Sequence, residues 1–398
     1  MMKKPKSAGA AAFLVILGCC LLLVLGSAAG AVLGYSEVSV TGYQPGPEGI
    51  TYTGVVNWFK DTCRAFCTTE MPGQVRLKEA NAAVERLAGK WIFQGTEVVR
   101  LNNGHLTSVG NMYYYQNPPE PKVADFRDYV ENQLEADFLY VQAPCKICGE
   151  DPQLPMDDMC NANEEATLLL EGLEEAGVEV LDLRRSLHED GLDHYGCFYR
   201  TDHHWTLPTG VWAARTIAGE LNRRCGLEMD VSVLEEDRFA AQVWEDAFLG
   251  SWGRKVTLAY APPEDFVMPV PKEPVRMRLT RYGVTYEGGF EALYDENQIV
   301  PEDYYAGSSY GAMLRGDCGY LKIENLDRPD GPVVAVLRES FAGAVGPYLS
   351  LAAGELHLLD ARYYDGSLKE LLAEIQPDAV VSLLNVQCYV NVYYDMVG

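Results

Sequence analysis

The chain has 398 residues, 48% of them hydrophobic, enough for one large domain or two medium ones around a sizeable core. Its 57 acidic side chains outnumber 32 basic ones, giving a formal net charge of −25. That argues against nucleic acid as a partner, because binding a phosphate backbone needs clustered Lys and Arg. Pairs such as Glu164-Glu165 and Glu174-Glu175 read instead as solvated helix faces.

Lys3, Lys4 and Lys6 precede an apolar run over residues 8–35, uncharged from Ala10 to Leu33. About 20 apolar residues cross a bilayer as a helix, and lysines on the N-terminal side place that end in the cytoplasm. Residues 1–35 are therefore expected to be a signal anchor or transmembrane helix. The chain would be a single-pass protein of the cell membrane, with its N-terminus cytoplasmic and its bulk extracytoplasmic. A cleaved signal peptide ending at Ser27-Ala28-Ala29 and a lipoprotein box at Ile16-Leu17-Gly18-Cys19 are the rival readings. All three put the rest of the chain on the same side. Eleven cysteines occur, two of them (Cys19 and Cys20) in the apolar run. Several of the others should pair in an oxidising compartment, in a pattern the sequence does not fix.

Residues 36–74 read as a spacer with a turn-rich stretch, Gly42-Tyr43-Gln44-Pro45-Gly46-Pro47. Helical periodicity covers 75–87, and 90–99 reads as a strand leading into a small β element. From there strands and helices alternate. Strands are expected at 138–141, 178–181, 333–337, 356–359 and 379–384. Helices are expected at 123–134, 164–176, 208–221, 341–353 and 368–375. This predicts an α/β domain over 75–398, a parallel sheet flanked by helices. Residues 228–330 break the rhythm with Tyr, Gly, Pro and alternating apolar positions, and read as a β-rich insertion.

Two of the six histidines are adjacent, in Tyr199-Arg200-Thr201-Asp202-His203-His204-Trp205-Thr206. In an extended segment alternate side chains share a face, so Asp202 and His204 would point together and His203 away. A carboxylate beside an imidazole is the orienting pair of a nucleophilic triad. The nucleophile belongs at the C-terminal edge of the parallel sheet. Ser340, after the strand at 333–337 and before a helix, fits that position, although a helix cap is the plain alternative for such a serine.

These residues resemble the family named for its Asp-His-His-Trp motif, which is itself similar to the periplasmic alginate O-acetyltransferases with an SGNH hydrolase-like domain. The motif stands here as Thr201-Asp202-His203-His204-Trp205, followed by Ser340-Phe341. Similar blocks occur at Phe248-Leu249-Gly250-Ser251, Tyr304-Tyr305-Ala306-Gly307 and Asp360-Ala361-Arg362-Tyr363-Tyr364. The resemblance implies an SGNH hydrolase-like fold and a catalytic triad of Ser340, His204 and Asp202. It implies action on O-acyl groups, in particular acetyl, of a cell-surface or secreted polysaccharide, as a transferase or an esterase. It also implies no cofactor, and by analogy a membrane-embedded acyltransferase as acyl donor. Glu339 stands where such families usually carry Asp. The N–H of Phe341 is a candidate oxyanion donor; Arg362, Asn385, Trp205 and His203 are weaker candidates for lining the site.

Three rival constellations remain. His188, His194, Cys197, Asp202, His203 and His204 crowd together as metal-type ligands, without a recognised template; the expectation is no metal. Cys145-Lys146-Ile147-Cys148 is either a redox pair or part of a disulfide framework with Cys160 or Cys197. A non-catalytic polysaccharide-binding or scaffold protein would also use this fold.

Overall fold

A computed structural model describes residues 74–93, 97–108, 119–155, 160–299, 304–305, 307–385 and 390–397. The expected membrane segment, the spacer up to residue 73, and Cys63, Cys67 and Cys388 lie outside these residues. Among the described residues no helix is long and apolar enough to cross a membrane. The chain divides into two units, 1–84 and 85–398. Helix α1 (Gln74–Leu87) supplies the described part of the first.

The second unit opens with β1 (Ile92–Phe93), β2 (Val98–Arg100) and β3 (Leu106–Ser108), a small antiparallel sheet. The α/β alternation follows with α2 (Glu120–Gln133), β4 (Asp137–Gln142), α3 (Ala162–Glu175), β5 (Val180–Asp182), α4 (Leu183–Glu189) and α5 (Leu207–Cys225). Next come β6 (Phe239–Phe248), α6 (Ser251–Val256), β7 (Glu264–Pro271), β8 (Met277–Arg281), β9 (Val284–Gly288) and β10 (Tyr320–Asn325). The chain closes with β11 (Val333–Arg338), α7 (Ala342–Ala352), β12 (Glu355–Leu359), α8 (Leu368–Ile375), β13 (Ala379–Leu384) and α9 (Val390–Met396).

Eight strands form the main sheet, in the order β5-β4-β13-β11-β12-β10-β8-β9. The first five run parallel, as expected. The last three are antiparallel, so the sheet is mixed rather than parallel. Turn chemistry is the reason at β8–β9. Tyr282 and Gly283 both hold positive φ, 48° and 74°, the two-residue hairpin turn that matches strand twist. The β-rich interval therefore does two things. Its β6–β7 pair stands apart as a two-stranded sheet, while β8, β9 and β10 extend the main one.

Burial explains the difference in pattern. In β4, Leu139 and Val141 pack into the core with α5 and α7, while Phe138 and Tyr140 pack with α2 and α3 on the other face. In β11, Val334 and Val336 share the first core and Ala335 and Leu337 the second. Strands covered on both faces read as continuous apolar runs. By contrast, β10 alternates buried and half-buried residues, the signature of a sheet covered on one face.

Two helices carry the layer that matters for the site. Helix α5 is capped by Thr206, whose side chain accepts from Thr209 N, with Pro208 in its first turn and Gly226 closing it at φ 67°. At its first turn Gly210 meets α7 so closely that a Cβ would lie 2.1 Å from the Ala344 carbonyl oxygen. Only glycine permits that approach. Gly210→Ala is expected to lower stability by about 1–3 kcal/mol or more, the cost of overpacking against backbone. Thermal unfolding of the variant should show a clearly lower midpoint.

Candidate active site

Ser340 follows the end of β11, in the middle of the parallel half of the sheet, and lies half-buried between buried Glu339 and Phe341. Helix α7 starts two residues later. The facing segment is not extended, as the sequence suggested, but a closed loop. A bridge pairs Phe198 with Trp205 across its base, Tyr199 N donates to His204 O at 3.2 Å, and Thr206 N donates to Cys197 O at 2.8 Å. The loop turns the histidines towards Ser340.

The loop's backbone is held from both sides. Glu264 accepts from Arg200 N (2.8 Å), Thr201 N (2.9 Å) and Thr201 Oγ1 (2.7 Å). The buried Lys146 donates to the carbonyls of Tyr199 (2.6 Å), Arg200 (3.3 Å) and Asp202, using the three donors of an ammonium. Burial drives Lys146 down to about 7, against the pull of Asp202 and Glu264. Gly250 packs directly on Asp202; a Cβ there would lie 2.3 Å from Asp202 Cβ.

Three side chains are joined in one hydrogen-bonded chain. His204 Nε2 lies 2.8 Å from Ser340 Oγ, and His204 Nδ1 lies 2.7 Å from Asp202 Oδ1. Asp202 also accepts from His204 N at 3.1 Å and from Ser251 N. Burial opposes the Asp202 charge, but His204 and His203 overcome it and hold the carboxyl well below its ordinary range. Burial, with His203 next, pushes His204 down to about 4, while Asp202 pulls it up. The imidazole is thus neutral at neutral pH and able to accept a proton. Tyr310 stacks on His204 at 4.0 Å and donates its hydroxyl to Ser340 O at 2.9 Å, fixing the ring and the turn together.

The remaining candidates fall differently. His203 does not point away: its Nδ1 reaches Asp202 Oδ1 at 3.1 Å, and its ring lies 3.7 Å from that of His204. The loop curvature, in place of an extended strand, puts both rings on one carboxylate. Trp205 is fully buried and donates Nε1–H to Phe341 O at 2.9 Å, so its ring packs and presents no face to a sugar. The Phe341 N–H donates to Glu339 Oε1 at 3.3 Å, while Glu339 Oε2 lies 3.1 Å from Ser340 Oγ. Burial raises the Glu339 carboxyl, favouring its neutral form. Arg362 forms a bidentate pair with Asp360, at 2.9 and 2.6 Å, and Asn385 donates to Pro144 O at 3.1 Å.

The expected disulfide framework is corrected. Cys145, Cys148, Cys160, Cys197, Cys225 and Cys318 are all free thiols. Cys145 packs beside Ala162 and Ala166, whereas Cys197 sits in the core under α5, so the two are kept apart. Burial pushes Cys145 up to about 12 and Cys197 up to about 11, leaving both as inert thiols. Sequence reasoning missed the supporting residues Lys146, Glu264 and Tyr310. A lysine amid apolar residues between two cysteines was the available signal for the first; Glu264 and Tyr310 carried none.

Residues 136–313 match the family model of the SGNH hydrolase-like domain of acetyltransferase AlgX. The resemblance read from Asp202 to Trp205 holds. The matched span contains Asp202 and His204 and ends before Ser340, whose place rests on geometry. Among solved structures, PatB1 of Bacillus cereus, determined with a sulfonyl adduct, aligns with a TM-score of 0.60 and 16% identity, over 75% of this chain and 96% of its own. A DHHW family protein of Eubacterium siraeum aligns with a TM-score of 0.55 and 14% identity, over 75% and 93%. At these identities the likeness is one of fold. No curated protein matches the chain.

Lys146→Met would take a donor from three carbonyls of the loop; that of Arg200 still accepts from Leu106 N and that of Tyr199 from Asp202 N, while that of Asp202 loses its Lys146 donor. A buried unsatisfied group costs about 1–3 kcal/mol, so the variant should lose about that much in denaturant unfolding. An unfolding midpoint equal to that of the wild type would contradict the stapling role.

Proposed function

We propose that this protein is a serine-dependent O-acyl transferase or esterase, acting through Ser340, His204 and Asp202 on acyl groups, most simply acetyl, of a cell-surface or secreted polysaccharide. The observation that carries this reading is the Ser340–His204–Asp202 hydrogen-bonded chain at the C-terminal edge of an SGNH hydrolase-like sheet. The family model describes an acetyltransferase domain, which favours acetyl as the acyl group.

The chemistry follows from the protons. Ser340 Oγ attacks the acyl carbonyl carbon as its proton passes to His204 Nε2. Collapse breaks the ester C–O bond, and the leaving alkoxide takes that proton, giving acyl-Ser340. A water or sugar hydroxyl then gives its proton to His204 as its oxygen attacks the acyl carbonyl; the bond to Ser340 Oγ breaks, and His204 returns that proton to Oγ. Asp202 holds the His204 tautomer and stabilises the transient imidazolium without itself becoming protonated. The Phe341 N–H is the proposed oxyanion donor, once its long contact with Glu339 is given up. No cofactor takes part. In this reading residues 1–35 anchor the chain in the cell membrane, the domain works outside the cytoplasm, and a membrane-embedded acyltransferase supplies the acyl group.

Hydrolysis of a chromogenic acetyl ester by wild type, Ser340→Ala and His204→Ala checks the assignment. Loss of a triad member should lower the rate by ~10³-fold or more; variants as fast as wild type would contradict it. The kcat/KM of the wild type should rise with pH on an acidic limb centred near 4 and level off by neutral pH, as His204 loses its proton. A limb centred at the ordinary histidine value of about 6.5 would show that His204 is not desolvated as described.

A further inference from the structure

A second cluster of ligand-type side chains lies outside the proposed catalytic chain. Cys148 Sγ and one ring nitrogen each of His188 and His194 lie within 4.8 Å of one another. Cys148 Sγ is 3.9 Å from His188 Nε2. Cys148 is buried, and so is His194, at 9% exposure; His188, in the last turn of α4, opens the cluster to solvent.

The hydrogen bonds decide which nitrogens are available. His194 Nε2 lies 3.1 Å from both Cys145 O and Lys146 O. Carbonyls only accept, so Nε2 carries the proton and Nδ1 keeps its lone pair. That Nδ1 is buried with no hydrogen-bond partner. His188 turns Nε2 towards Cys148 at 3.9 Å, and its Nδ1 lies 3.7 Å from Glu150 Oε2, longer than a hydrogen bond. An imidazole whose far nitrogen bonds a carbonyl or carboxylate is the usual surrounding of a metal-ligating histidine.

We infer that Cys148 Sγ, His188 Nε2 and His194 Nδ1 form a zinc-binding site with a fourth position open to solvent. Tetrahedral zinc, with bonds of ~2.0–2.1 Å to nitrogen and ~2.3 Å to sulfur, spaces its ligand atoms by ~3.4–3.6 Å. The cluster is wider than that, with its ligand atoms within 4.8 Å of one another, so binding would draw the three side chains together. Two imidazoles and a soft thiolate suit Zn²⁺ over Ca²⁺ or Mg²⁺, which take oxygen ligands. Binding makes the Zn–S bond as the Cys148 thiol releases its proton to solvent; nothing is oxidised or reduced.

The site has a place in the architecture. Cys148 closes the segment that carries Lys146, and His194 immediately precedes the turn leading into the loop of Asp202 and His204. Zinc here would clip the Lys146 segment to the base of that loop. The metal is not a reactant in the proposed ester chemistry, so the site stands whether or not that reading does.

The test uses the reduced full chain, stripped with chelator and titrated with Co²⁺, then with Zn²⁺ in competition. The expected result is a thiolate-to-cobalt charge-transfer band that saturates at one equivalent and is abolished by zinc. Cys148→Ser should eliminate the band. Loss of an outer partner alone weakens metal sites by about 10–100-fold, so His188→Ala, at an exposed position that leaves the core intact, should weaken binding by at least that much. Absence of the band in the wild type overturns the inference. So does a band unchanged in both variants, which would place the metal on other cysteines.

Discussion

Removing a carboxylate from water costs several kcal/mol unless its charge is answered, and Asp202 is 2% exposed. The protein answers it with two imidazoles on one oxygen, a backbone N–H on the other, and the Lys146 ammonium against its own carbonyl. An ionised Asp202 in turn fixes the His204 tautomer, and a neutral His204 aimed at Ser340 is the condition for any ester chemistry here. The elements that look peripheral to the reaction serve this balance. Glu264 ties down the N–H groups of the loop, Lys146 its carbonyls, and the absence of a side chain at Gly250 lets the N-terminus of α6 reach the carboxylate.

The fold brings the two halves of the site together through a single close approach. Ser340 follows the end of β11, while His204 sits on a loop that continues into α5. Gly210 lets α5 press onto α7, the helix that Ser340 leads into, and Tyr310 and Trp205 stitch the contact by donating to the Ser340 and Phe341 carbonyls. Preorganisation of this kind matters because the reacting groups must be held to within about 0.5 Å of productive geometry.

Much of this was legible in the sequence, for physical reasons. Strands β4, β11 and β13 are buried on both faces and so read as apolar runs, and the helical span expected at 208–221 falls within α5. The Asp-x-His spacing and the strand-then-serine pattern located the three residues of the hydrogen-bonded chain. The antiparallel half of the sheet was hidden because its hairpin turn uses Tyr282, a residue with no turn preference, at a positive φ. The orientation of His203 was misread because alternation holds only for extended backbone. Lys146 and Glu264 stand 56 and 63 residues from their partners, Asp202 and Thr201, and no local pattern connects such positions. The Glu339 carboxyl folds back to touch both Ser340 Oγ and the Phe341 N–H, a contact visible only in three dimensions.

The central claim is that Ser340 is a nucleophile activated by His204. A sulfonyl fluoride tests this without knowledge of the donor or the glycan, because it sulfonylates an activated serine hydroxyl far faster than an ordinary one. Intact mass and peptide mapping should find one sulfonyl group per chain, on Ser340, in the wild type, and none in His204→Ala at the same exposure. No labelling of Ser340 in the wild type, or labelling of Ser340 that persists at full rate without His204, would contradict the account.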